Sequence, residues 1–147
     1  MPNKIDSFQG EYRFLSNFWP CVIQYGGRRW PSAENLYQAL KCRDISDMRS
    51  FVDISPGAAK RLGRTIILRA DWESVKLQIM CDVVRAKFMQ NLDLQILLLK
   101  TNDAELIEGN TWHDTFWGRC NGIGQNNLGK ILMNERNFWR QKHENKR

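Results

Sequence analysis

The chain has 147 residues, 42% of them hydrophobic, and carries 22 Lys and Arg against 16 Asp and Glu, a formal charge of +6. That length suits one domain with a real core and a pocket, since roughly 68–70% of the unfolded surface is buried at this size, and no run approaches the ~18 apolar residues of a membrane span. The positive charges exceed the negative ones by 7 to 5 over residues 1–50, 8 to 5 over 51–100 and 7 to 6 over 101–147. No basic arm for non-specific duplex binding stands out, yet the overall field attracts an anionic or phosphorylated ligand.

The opening MPNKIDSFQGE lacks the apolar stretch of a secretory signal, so a cytoplasmic protein with no membrane partner is expected. Cys21, Cys42, Cys81 and Cys120 stand alone, with no CxxC or CxxH pair, and read as free and mostly buried thiols. His113 and His143 are far apart in the chain, with His143 in a frayed basic tail. Neither a metal site nor a cofactor is expected.

In chain order, Phe8 to Gln24 reads as short strands joined by tight turns, ending at the Gly26-Gly27 turn. Trp30-Pro31-Ser32 opens a helix with Ser32 as N-cap and Ala33, Leu36, Tyr37 and Leu40 on its apolar side. Ser55 to Arg64 is a short helix closed by Gly63, and Ile66 to Leu68 is strand-like. Asp71 caps a long helix in which Val75, Ile79, Val83 and Ala86 recur at helical spacing, and Leu92 to Leu99 adds another. After a breaker-rich stretch from Gly109 to Asn127, Leu128 to Trp139 forms the last helix. The class that follows is α+β: a predominantly helical single domain with short N-terminal and central strands.

Two clusters carry chemistry. Glu34 and Lys41 are seven residues apart with Gln38 between them, which places all three on one helical stripe, the outer pair about 10.5 Å apart at Cα. The stripe is either a solvated face or one wall of a ligand site. The second cluster is Trp112-His113-Asp114-Thr115-Phe116-Trp117-Gly118, three large aromatics around a carboxylate, which is either core with a turn or a ring-stacking wall. Asn126 and Asn127 cap the last helix or donate into the same space. Glu108 is a second active carboxylate or a loop acid. Arg28, Arg29, Arg43, Lys60, Arg61, Arg64 and Arg69 are candidate phosphate contacts. Gly122-Ile123-Gly124 lacks the preceding strand and later glycine of a dinucleotide loop.

A set of separated motifs carries a family resemblance. Phe8-x-Gly10-x-Tyr12-x-Phe14-Leu15-Ser16-Asn17-Phe18, Trp30-Pro31-Ser32-x-Glu34-Asn35-x-Tyr37-Gln38-Ala39-x-Lys41, Asp71-Trp72, Lys87-Phe88, Phe116-Trp117-Gly118 and Asn127-Leu128-Gly129 keep their order over roughly residues 8–140. Together they resemble the NADAR family, also called YbiA-like or riboflavin-biosynthesis-associated N-glycosidases. The resemblance implies a YbiA-like fold and hydrolysis of the C–N bond of ribose derivatives. Expected substrates are phosphoribosylamino pyrimidine intermediates of riboflavin biosynthesis or ADP-ribosylated guanine, possibly within nucleic acid. It places the family glutamate on Glu34, the reactive lysine on Lys41, the aromatic-glycine motif on Trp117-Gly118 and the family asparagine on Asn127; beside these, Asn17, Trp30, Gln38, Trp112, Asp114 and Phe116 are expected on the substrate side. Where many relatives have His after the glutamate this chain has Asn35, which implies the loss of a proton-handling group. A lysine acting as nucleophile must be uncharged, so the site is expected to be desolvated or crowded by other cations. A non-catalytic ADP-ribose or nucleotide-binding module and a structural nucleic-acid-binding protein are the competing classes.

Overall fold

In the computed structural model, which describes residues 2–146, the chain runs through β1 (Lys4–Ile5), a 3-10 helix (Gly10–Leu15), β2 (Pro20–Tyr25), β3 (Arg28–Ser32), α1 (Ala33–Ala39) and α2 (Ile45–Met48). A 3-10 turn (Arg49–Phe51) leads to α3 (Pro56–Leu62), α4 (Trp72–Gln90) and α5 (Leu92–Leu99). The chain closes with β4 (Glu105–Leu106), β5 (Gly109–Asn110), β6 (Arg119–Cys120) and α6 (Asn127–Glu144). Helix outweighs strand, and the class is α+β. The elements gather into two compact units, one from Asn17 to Asn91 and one from the N-terminal residues through Ser16 with Leu92 onward.

The unit from Asn17 to Asn91 is built on an antiparallel hairpin, β2 against β3, with Ile23 opposite Trp30 and Tyr25 opposite Arg28. Gly26 and Gly27 both take positive φ (59° and 77°), the pair of values that a type I′ hairpin turn requires at its two central positions. The buried Ile23 and Trp30 anchor one face, and the indole N–H of Trp30 donates to the Tyr25 carbonyl. The hairpin's backbone is finished by side chains from the end of α4. Gln90 accepts from the Gln24 N–H at 2.7 Å and donates to the Gln24 carbonyl at 2.9 Å, while Asn91 donates to the Val22 carbonyl.

Side-chain caps start α1 and α3. Ser32 Oγ accepts from the Asn35 N–H, and Ser55 Oγ accepts from the Ala58 N–H with Pro56 next to it at the first helical position. Asp71 precedes α4 as expected, but its carboxylate turns away from the helix to pair with Arg69 at 2.6 Å. Along α4, Ile79, Val83 and Ala86 are buried as the periodicity requires. The strand expected from Ile66 to Leu68 is reduced to one bridge, Leu68 with Cys42. Flanking backbone bonds run from the Arg43 N–H to the Ile67 carbonyl and from the Arg69 N–H to the Lys41 carbonyl.

In the other unit, β1 pairs in parallel with β4, β5 pairs in parallel with β6, and α6 packs on β4 and α5. Asn126, at φ 55°, turns the chain into α6, and its carboxamide donates to the Leu106 carbonyl and accepts from the Glu108 N–H. Buried Arg136 of α6 donates to Thr101 Oγ1 and to the Ala104 carbonyl, satisfying the loop between α5 and β4.

Three expectations need correction. The first part of the stretch expected as strands is a 3-10 helix, because Gly10 at φ 59° breaks the extended course and Phe14 and Leu15 bury from a helical turn. His143 does not lie in a frayed tail; α6 continues to Glu144 and brings its ring Nε2 against Gln95 Oε1. Of the four thiols, Cys42 and Cys120 are buried, while Cys21 and Cys81 are only partly so.

Candidate active site

All seven residues of α1 are buried, which removes the solvated-face reading of Glu34 and Gln38 (7% and 4% exposed). Burying a carboxylate is costly unless donors meet it. Gln38, one turn on, supplies one: its Nε2 donates to Glu34 Oε1 at 3.0 Å. The Glu34 backbone N–H donates to the carbonyl of Asn17 at 2.9 Å, so Asn17 holds the first turn of the helix. The side chain of Asn17 meanwhile points its Nδ2 at the sulfur of Met80.

Lys41 lies beyond the helix rather than on it. α1 ends at Ala39 with Leu40 as its cap, and the Lys41 N–H closes a last tight turn on the Gln38 carbonyl. Its amine stands over two rings, 5.2 Å from the centre of Tyr37 and 5.7 Å from that of Trp72. Those rings meet edge to face with centroids 5.5 Å apart. Burial pushes the amine below the ordinary lysine value. The carboxylate of Glu34 works in the opposite sense, and the positive charges of Arg64, Lys60 and Lys76 add to the lowering. Desolvation and cation crowding are the two conditions a nucleophilic lysine requires.

Asn35, which stands where many relatives carry a proton-handling His, has a packing task instead. Its side chain is fully buried, donates to the carbonyls of Phe51 and Ile54, and meets the Ser32 hydroxyl. It ties α1 to the 3-10 turn that follows α2, a structural role distinct from proton handling. Trp30, expected on the substrate side, is 1% exposed with its N–H committed, and serves as core. Among the candidate phosphate contacts, Arg43 and Arg69 are spent on Asp44 and Asp71, whereas Lys60 and Arg64 belong to the positive surroundings of Lys41.

The aromatic cluster lies in the other unit. Asp114 uses Oδ1 to accept from the N–H groups of Phe116 and Trp117 at 3.1 and 2.9 Å, so the carboxylate folds the turn that presents the two rings. Those rings pack edge to face at 4.7 Å, both half-buried, while Trp112 is 52% exposed. Gly118 lets the chain pass against Glu108, whose Oε2 accepts from Asn110. Asn127 donates from Nδ2 to the Phe116 carbonyl. Asp114, Phe116, Trp117 and Asn127 thus form one hydrogen-bonded turn.

The NADAR domain family model matches residues 6–140. The chain belongs to the NADAR family. N-glycosidase YbiA of Shigella sonnei is 42% identical over 131 residues, covering 86% of this chain and 81% of that protein. A riboflavin biosynthesis protein of Vibrio vulnificus is 42% identical over 124 residues, which is 82% of this chain and 34% of that protein. The NMR structure of E. coli YbiA matches with a TM-score of 0.85 and 37% identity, over 97% of this chain and 89% of that one.

The neighbourhood of Glu34 and Gln38 in this NADAR chain is legible from spacing, and so is the capping serine, whereas Lys41, expected on the same helical stripe, follows the helix end. The roles of Tyr37, Trp72 and Lys76 emerge only in three dimensions. Tyr37 sits four residues before Lys41, a spacing that could have flagged it, whereas no local pattern brings Trp72 or Lys76 to Lys41.

Proposed function

We propose that Lys41 and Glu34 hydrolyse the C–N glycosidic bond of a phosphorylated N-riboside through a lysine Schiff base. The enzyme class comes from kinship: the chain is an N-glycosyl hydrolase, a NADAR protein 42% identical to a named N-glycosidase. The observation that carries the residue assignment is the half-buried amine of Lys41, lowered below the ordinary lysine range beside the buried carboxylate of Glu34.

The neutral amine attacks C1′, forming an N–C bond as the glycosidic C–N bond breaks and its electron pair leaves with the base. Glu34 takes a proton from the attacking nitrogen and passes it to the departing nitrogen. The sugar ring then opens, O4′ taking a proton as the C1′=N bond forms. Water adds to C1′, the amine is expelled, and ring closure releases the free sugar phosphate. The net change is N-riboside plus water to sugar and free base, with no cofactor.

Arg64, Lys60 and Lys76 supply a positive field for a phosphate-bearing sugar. The kinship with a riboflavin biosynthesis protein favours a phosphoribosylamino pyrimidine as that sugar's carrier. ADP-ribosylated guanine, free or in nucleic acid, is the second substrate offered to the same site. The test is base release from both classes, with borohydride added during turnover. Free base together with a sugar adduct on Lys41 is the expected result. Binding with neither release nor adduct would make the protein a nucleotide-binding module.

A further inference from the structure

Gly63 follows α3 with φ −60° and ψ −16°, backbone that any L-residue adopts. Its lack of a side chain is therefore a matter of space. A Cβ at this position would stand 1.9 Å from Oε1 and 2.8 Å from Cδ of Gln38, well inside van der Waals separation. The Gln38 carboxamide, 4% exposed, rests on the bare Cα of Gly63 with Oε1, which accepts no hydrogen bond among the described residues. From its other corner, Nε2 donates to Glu34 Oε1 at 3.0 Å.

The amide is thus set between the end of α3 and the carboxylate on α1. A group without a partner on one side and with a charge-assisted bond on the other is held in place by shape and by that one bond. A side chain at 63 would collide with Oε1 and Cδ of the amide, whose hydrogen bond runs to Glu34.

We propose that Gly63 is a positioning residue for the Glu34 carboxylate, acting only through Gln38: the missing side chain leaves room for the carboxamide that fixes Glu34 Oε1. The inference rests on the reading of Glu34 as the proton carrier, and it assigns Gln38 to the carboxylate rather than to substrate alone.

The test compares wild type, Gly63→Ala, Gln38→Ala and the double variant. Its first arm needs no substrate. The ¹⁵N-labelled carboxamide of Gln38, recognised by its loss in Gln38→Ala, should exchange its protons with water at least about tenfold faster in Gly63→Ala than in wild type. Its second arm reads kcat and KM for base release. Gly63→Ala should lower kcat about tenfold or more with KM nearly unchanged, and the same change made in Gln38→Ala should cost nothing further. Wild-type protection of the amide in Gly63→Ala, or an equal loss of kcat in both backgrounds, would overturn the proposal. If Gly63→Ala does not fold, the double variant decides: folding as well as Gln38→Ala supports the spatial conflict, and failing to do so refutes it. If wild type releases no base from any N-riboside, the proposed activity fails while the exchange measurement still judges Gly63.

Discussion

The amine of Lys41 stands 5.2 Å from the centre of the Tyr37 ring, one helical turn upstream. An aromatic face favours the ammonium form, as does Glu34, whereas desolvation and three neighbouring cations disfavour it, and the net effect is a lowered pKa. The balance gives a signed prediction. The rate should rise with pH along a limb centred below the ordinary lysine value. Lys60→Gln, Arg64→Gln or Lys76→Gln withdraws a like charge and should move that limb to higher pH. Glu34→Gln removes the opposite charge and should move it lower. A limb that stays put in all four variants would assign the titration to another group.

Lys41→Arg keeps a positive charge but cannot form an imine, because a guanidinium stays protonated at neutral pH. Single-turnover base release should fall by several orders of magnitude in the folded variant, and borohydride should trap nothing. Glu34→Gln keeps shape and loses proton exchange, so its rate should fall about 10²–10⁴-fold with the fold intact. Wild-type release from Lys41→Arg would move the attack to a water activated by Glu34.

Trp117→Ala should weaken substrate use by about 1–3 kcal/mol in kcat/KM if its half-buried ring stacks on a base. Asp114→Ala removes the acceptor of two backbone N–H groups and should loosen the same turn, costing roughly 1–3 kcal/mol of stability in urea unfolding. Asp114→Asn keeps an acceptor oxygen and should recover most of that loss.

Asn35→Ala leaves the carbonyls of Phe51 and Ile54 without their buried donor and should destabilise the protein by roughly 2–4 kcal/mol. If Asn35 is structural, the pH profile of the remaining folded enzyme should match wild type. A displaced profile would show that the contacts of Asn35 also set the surroundings of the titrating group.

Lys87 offers a test of stability alone. Burial lowers its pKa to about 8, against an ordinary value of 10.5 in the unfolded chain. Between those values the unfolded chain binds more protons, so stability should climb with pH across that window, and below it the full penalty applies. Lys87→Met should flatten this slope and raise stability near neutral pH by up to roughly 3 kcal/mol, read by denaturant unfolding at several pH values.

Local chemistry made the starts of helices legible. Ser32 and Ser55 each announce a first turn, and the spacing of Ile79, Val83 and Ala86 marks the inner face of α4. The end of α1 was not legible, because what stops it is distant: the Lys41 carbonyl is taken by the Arg69 N–H, and Cys42 pairs with Leu68. For the same reason Glu34 and Gln38 were readable as neighbours, whereas Trp72 was not readable as a wall for Lys41. Asp114 shows the other limit, since a sequence displays a carboxylate without displaying the backbone amides that engage it.

Because α1 is enclosed on every side, its seven positions answer to packing and to chemistry at once. Such a helix has little freedom to drift, and a selection for new substrates that targets it should yield mainly unfolded clones. Variation is better tolerated at the half-buried Trp117 and the exposed Trp112, which are less enclosed than the residues of α1.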